Sequence, residues 1–387
     1  MKNHRCKSRF CPRAIRIGGI GPYLVALLVT ASAGRASETP QFETQELFPG
    51  RGGRSIVVAQ DGTVLAFHGR QLRRSTDAGK TWSPPQEIGP DAGGNAIVDE
   101  TTGDVMLVRP DQGQLWRSTD AGTTWSREEI RVLPNGLGHG SPDGVPANAG
   151  AMQPGVTLQF PPPPPPLLMP ARCQPPEGTN EVRWWPYNYN TSIYSDDRGR
   201  TWQTSAPFPV LGTGEGTLAE LSDGRVYYNS REHMSKGNRF IAWSDDGGAT
   251  WLNPSRCRVL PDGMRGDRYG CMGGLVRLPV DGRDILIYSN LDSDGGQFRG
   301  RGRQKVTVWA SFDGAQTWPV KRLVFDGPSA YSNLAAGRPG TPTEGQIYLL
   351  FEGGRGGQYD AVHVARFHLA WLLEGEPTGD GQAPELQ

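Results

Sequence analysis

Arginine, tyrosine and carboxylate side chains are where this chain has chemistry to offer. Guanidinium groups stay protonated and present a planar fork, so several converging on one point grip a carboxylate through paired hydrogen bonds. Four stretches carry such groups beside strand-like patterns: residues 214–231 with Glu220 inside, Gly237-Asn238-Arg239, Arg303-Gln304-Lys305, and Ser329-Ala330-Tyr331. A neutral phenol can attack a carbon that already bears a carboxylate, where a carboxylate nucleophile would be repelled, provided a partner carboxylate removes its proton. No metal-ligand cluster, phosphate-binding loop or nucleotide fingerprint occurs, so neither metal nor cofactor is expected. The Gly-Arg alternation from Arg299 to Arg303 is too short to argue for RNA.

The elements that must position these residues are set by a repeat. Five octads of the form Ser-x-Asp-x-Gly/Ala-x-Thr-Trp occupy residues 75–82, 118–125, 195–202, 244–251 and 311–318, the last with Ala315 where the others have glycine. Each follows a short β-pattern, so each is read as a hairpin turn: Ser and Asp bond the turn's own backbone, Gly tolerates positive φ, and Trp plugs the space beneath. These octads are structural and carry no catalysis. Further hairpin signals fall at residues 55–67, 96–108, 217–229 and 275–288.

The octad is the Asp box, and the chain resembles the bacterial sialidase (neuraminidase) family over roughly residues 42–370. That resemblance implies an all-β fold, a six-bladed propeller with an Asp-box hairpin in the outer part of its blades and loops converging on a central funnel. It also implies a retaining exo-α-sialidase that removes terminal sialic acid, a sugar whose anomeric carbon bears a carboxylate. Residues 214–231 match the family's Glu-Leu-x-Asp-Gly-Arg strand pair and make Glu220 the base. Arg239 and Arg303 fall where the family places two of its three carboxylate-binding arginines. Ser329-Ala330-Tyr331-Ser332-Asn333-Leu334 matches its Ala-Tyr-Ser-Asp-Leu segment and makes Tyr331 the nucleophile.

Two departures stand out. The family's Arg-Ile-Pro signature is replaced by Gly50-Arg51-Gly52-Gly53-Arg54, so Arg54 or Arg51 supplies the first arginine. The loop that carries the family's general acid is missing, because Leu65-Ala66-Phe67-His68-Gly69-Arg70 runs straight into Gln71-Leu72-Arg73. A general acid is worth about two to four orders of magnitude in rate. His68 is the nearest stand-in, with Asp143 and Asp267 on other loops as alternatives. A non-catalytic glycan-binding propeller, or a glycosidase for another acidic sugar, fits the same residues.

Composition agrees with one large β-rich body: 387 residues hold 53 glycines and 33 prolines. The basic stretch up to Arg16, the apolar run 17–29 and Ala31-Ser32-Ala33 read as an export signal over residues 1–33, leaving a secreted or periplasmic protein. The apolar run is shorter than the roughly 20 residues that span a bilayer. Six of the 40 basic residues and none of the 40 acidic ones lie before Ala33, so the remainder carries 34 basic against 40 acidic side chains. That balance argues against a nucleic-acid surface, while the resemblance implies sialylated glycans or other acidic sugars as partners, and a monomer is expected. Beyond the signal, Cys173, Cys257 and Cys271 form no disulfide framework, with Cys257 to Cys271 the candidate bridge. Residues 161–166 are a rigid proline connector between two strands. The propeller is expected over residues 42–374 and a disordered polar tail over 375–387.

Overall fold

Every Asp box closes by the same bonds in the computed structural model, which describes residues 40–135, 149–160, 166–174, 182–235, 237–262, 270–293 and 302–385. The serine hydroxyl donates to the aspartate over 2.7–2.9 Å and accepts the amide of the residue four positions on. The same aspartate accepts the amide of Thr81, Thr124, Thr201, Thr250 or Thr317. Trp202, Trp251 and Trp318 are buried beneath their turns. Ala315 takes the left-handed φ of +68° that the other four boxes give to glycine, a strain that the serine and aspartate bonds hold in place.

These turns punctuate an all-β structure whose described strands form five hydrogen-bonded sheets. Three are four-stranded antiparallel units that follow one another along the chain, spanning residues 53–87, 95–129 and 213–261. A six-stranded sheet covers residues 131–204. There Val156–Thr157 pairs antiparallel with Leu167–Cys173 across the proline run, of which residues 161–165 lie outside the described residues. The fifth sheet has eight strands because the 17-residue strand Val320–Ala336 belongs to two neighbourhoods. Its residues 320–328 pair with Gln304–Ser311 and its residues 329–336 with Gln346–Gly353. Phe42–Pro49 then pairs with Ala361–His368, so the first described strand completes the last sheet.

All four further hairpins form as antiparallel pairs. Apolar faces of successive sheets pack on one another. Ala219, Leu221 and Tyr227 meet Leu275, Leu286, Tyr288, Trp309 and Trp318, for example, in one buried cluster. Residues 37–387 form one compact unit. No helix among the described residues is long and apolar enough to cross a membrane, and the expected export signal at residues 1–33 lies outside the described residues.

Within residues 375–387, Glu376–Pro377 adds to Val320–Ala336, and Asp380 accepts the Trp318 amide at 3.0 Å. One expectation is corrected. Cys173, Cys257 and Cys271 are free and buried. Cys257 and Cys271 pack in different apolar clusters, which removes the candidate bridge.

Candidate active site

The strands Thr213–Glu220 and Val226–Glu232 form a hairpin that turns through Leu221 and Arg225. Pairing of Thr217 with Asn229 and of Gly216 with Ser230 leads to the open end, where the register shifts between Thr213 and Gly216 and Glu215 sits beside that irregularity. There Arg231 Nη1 donates to Glu215 Oε2, both side chains being buried. The other oxygen, Glu215 Oε1, accepts the Tyr331 hydroxyl at 2.8 Å and lies 4.0 Å from Arg172 Nη1. A Cβ on Gly214 would come within 2.2 Å of His233 Nε2, so only glycine lets the hairpin close on this cluster.

Burial by itself would raise the Glu215 carboxyl, but the Arg231 and Arg172 guanidiniums outweigh it and hold the group well below the usual carboxylate range. Burial, helped by the Glu215 charge, pushes the Tyr331 phenol well above its ordinary value. At neutral pH the pair is therefore carboxylate and phenol, hydrogen-bonded in the direction a proton would move on attack. Two more cations flank the tyrosine. Arg303 Cζ lies 5.4 Å from the Tyr331 ring centroid, and its fork donates to Tyr359 Oη and to the Gly270 carbonyl, each at 3.0 Å. The exposed Arg51 has its Cζ 5.8 Å from the Tyr331 ring and 4.7 Å from the Tyr359 ring.

The structure thus brings together Tyr331 and Arg303 of the expected set and puts other residues beside them. Glu220 sits at the turn end of its hairpin, where its carboxylate accepts the amides of Gln159 (2.7 Å) and Phe160 (3.2 Å). It lines a cavity with Asp245, Asp246 and Gly247 of the fourth Asp box, five residues along the strand from Glu215, or roughly 16 Å. That separation keeps Glu220 away from Tyr331, whose hydroxyl bonds Glu215 instead. Arg239 is fully buried and its donors are spent on protein: Asn229 Oδ1 (2.6 Å), Asp262 Oδ1 (2.9 Å), and the carbonyls of Cys271, Glu215 and Asn229. It anchors the backbone of Glu215, while Arg231 is the guanidinium paired with the Glu215 carboxylate.

Of the first-arginine candidates, Arg51 reaches Tyr331; the Arg54 side chain lies outside the described residues. His68 stacks on Phe48 with ring centroids 5.0 Å apart and lies close against Gly52. Asp143 and Asp267 lie outside the described residues. The hairpin itself carried a signal for Glu215 and Arg231, since counting outward from the Asp223-Gly224 turn brings both to its open end.

Beside this cluster lies a cavity of about 420 Å³ whose lining includes Gly69, Asn95, Arg109, Asp111, Met152 and Arg172. Cations outnumber carboxylates around Tyr331, so the site suits an anion. Among the described residues no group of three or more His, Cys, Asp or Glu is placed to hold a metal ion.

Known proteins share this architecture. A sialidase of Micromonospora viridifaciens is 35% identical over 187 residues, 47% of this chain and 25% of its own length. Human sialidase-4 is 31% identical over 319 residues, covering 59% of this chain and 64% of its own. The match therefore spans only about a quarter of the bacterial relative. An intramolecular trans-sialidase of Ruminococcus gnavus, solved with oseltamivir carboxylate, superposes with a TM-score of 0.58 at 16% identity, covering 84% of this chain and 95% of that one. A leech intramolecular trans-sialidase, complexed with 2,7-anhydro-Neu5Ac, gives 0.59 at 14% identity over 87% and 69%. These likenesses show the fold, an all-β propeller of the sialidase type. The model of the BNR repeat-like domain matches residues 108–347, more than half of the sequence, and the chain belongs to that family.

Proposed function

We propose that this protein is a retaining exo-α-sialidase in which Tyr331 attacks the anomeric carbon, Glu215 takes the phenolic proton, and Arg51, Arg231 and Arg303 hold the substrate carboxylate. The observation that carries the reading is the 2.8 Å hydrogen bond from Tyr331 Oη to an arginine-paired glutamate. Two like charges about 4 Å apart repel by about 4 kcal/mol at an effective dielectric near 20. A carboxylate nucleophile would meet that penalty at a carbon bearing its own carboxylate, and a neutral phenol does not. The same reading takes the fold as six blades, counting the eight-stranded sheet as two units that share Val320–Ala336. It also takes the protein as exported, which rests on the basic, apolar and small-residue order of residues 1–33.

The test is hydrolysis of a sialoside with a good phenolic leaving group by the chain lacking residues 1–33, with Tyr331→Phe as control. Release of phenol that collapses in the variant supports the proposal; no release by the parent sinks it. A second reading, a glycan-binding propeller without turnover, draws on the hairpin Val64–His68 to Gln71–Ser75, whose two-residue turn carries no acidic side chain. It predicts sialoside binding that survives Tyr331→Phe.

A further inference from the structure

The turn between Val64–His68 and Gln71–Ser75 consists of Gly69 and Arg70 alone, and Gly69 lines the cavity of about 420 Å³ beside the tyrosine. A Cβ built on Gly69 would meet nothing within 4 Å, so the short turn leaves this space open. Two contacts tie the cavity to the nucleophile. Arg172 lines it while approaching Glu215, and Gln153, next to the lining residue Met152, donates Nε2 to the Ser332 carbonyl adjacent to Tyr331. Whatever leaves the sugar at Tyr331 needs a proton donor within reach of this space.

We infer that Asp111 supplies that proton. This rests on the sialidase reading above and names a catalytic residue for it. Asp111 is the one carboxyl among the described residues lining the cavity. It is held on a 3₁₀ turn, Pro110–Gln112, whose buried Pro110 accepts the Gly113 amide at 3.1 Å, so its position is fixed although its side chain is 47% exposed. Exposure lets it exchange protons with water between turnovers. Gln112 Nε2 donates to Asp111 Oδ2 at 3.2 Å and Arg109 Nε lies 4.0 Å from the same oxygen, so both neighbours orient the carboxyl. His68, by contrast, is not among the described lining residues and packs on Phe48.

In the first step the Asp111 carboxyl gives its proton to the glycosidic oxygen as the bond from that oxygen to the anomeric carbon breaks. Tyr331 Oη bonds to the carbon and its proton passes to Glu215. In the second step water attacks the same carbon and yields a proton to the Asp111 carboxylate. Tyr331 departs as the phenol, recovering its proton from Glu215.

The experiment compares the parent with Asp111→Asn and Asp111→Ala on sialyl-lactose and on the phenolic sialoside, with thermal melting as a fold control. Expected for both variants is a kcat/KM on sialyl-lactose lower by about 10² to 10⁴, with a change under about tenfold on the phenolic substrate, whose leaving group needs little protonation. Added azide or formate should restore part of the Asp111→Ala turnover. Equal losses on both substrates, or none on either, would overturn the assignment. Phenolic cleavage by a parent that leaves sialyl-lactose intact would also overturn it while sparing the Tyr331 reading. Failure of the parent on both substrates would instead take down the sialidase reading itself.

Discussion

Replacing Glu215 by glutamine and, separately, Glu220 by glutamine divides the two glutamates of one hairpin into chemistry and scaffold. The amide of Glu215→Gln could still accept from Tyr331 or Arg231 but could not take a proton. Loss of a positioned base costs about 10² to 10⁴ in kcat, or about 3–5 kcal/mol at about 1.4 kcal/mol per tenfold. The buried Arg231 loses its ionic partner at the same time, and breaking such a pair costs up to about 3–5 kcal/mol of stability. The Glu215→Gln protein should therefore melt earlier as well as turn over slowly. Glu220 accepts two backbone amides, one of which the Glu220→Gln side chain can still satisfy, so about 1.5–3 kcal/mol is at stake, all of it in stability. Rates on the phenolic sialoside, measured well below each melting temperature, should fall at least a hundredfold for Glu215→Gln and stay within about twofold for Glu220→Gln. The reasoning is refuted if Glu220→Gln loses as much activity as Glu215→Gln, or if Glu215→Gln keeps more than a tenth of the parent rate.

Arg239→Lys breaks a buried network with Asp262 and Asn229 and should lower the melting temperature by roughly 10 °C, at about 2–4 °C per kcal/mol, while KM moves less than about twofold; a large KM effect would return Arg239 to the substrate. Hydrogen bonds from Thr124 hold Asp120 at about 2, below its ordinary 3.8. Its stabilisation is then complete above that ordinary value and lost as pH falls through the folded one, so the melting gap between parent and Asp120→Asn should close from about pH 4 to about pH 2. Burial pushes the Cys173 thiol up to about 11, and a thiol reagent at pH 8 should label none of the three buried cysteines before denaturant is added. Ending the chain at Glu374 removes the strand added at Glu376–Pro377 and the Asp380 contact to Trp318, and should lower the melting temperature by several degrees without changing KM.

The fold was legible because its signals are local. An Asp box writes its whole hydrogen-bond pattern into eight consecutive residues, and a hairpin shows its turn. Tyr331 and Arg303 were singled out through the resemblance of their segments to the sialidase family. Glu215 was not, because the hairpin carries a glutamate at each end of one strand and the stretch around Glu220 drew the assignment. Arg231 and Arg239 start from neighbouring strands, and only packing tells which fork is consumed by Asp262 and which faces the tyrosine. A two-residue strand such as Glu376–Pro377 has no periodicity to read, and its order comes from the edge it joins.

The pairing of Phe42–Pro49 with Ala361–His368 joins segments more than 300 residues apart. Loop-closure entropy grows only by about 0.6 kcal/mol per doubling of length, so the completed ring is barely penalised at equilibrium. Its kinetics are another matter, because a pairing of such sequence separation forms slowly and Ala361–His368 lacks this partner until Phe42–Pro49 arrives. Once shut, the clasp has no free end to peel without first breaking a full strand pairing. A barrier of that kind would set a lifetime rather than an equilibrium stability, and it would count most if the export proposed from residues 1–33 takes the protein away from chaperones.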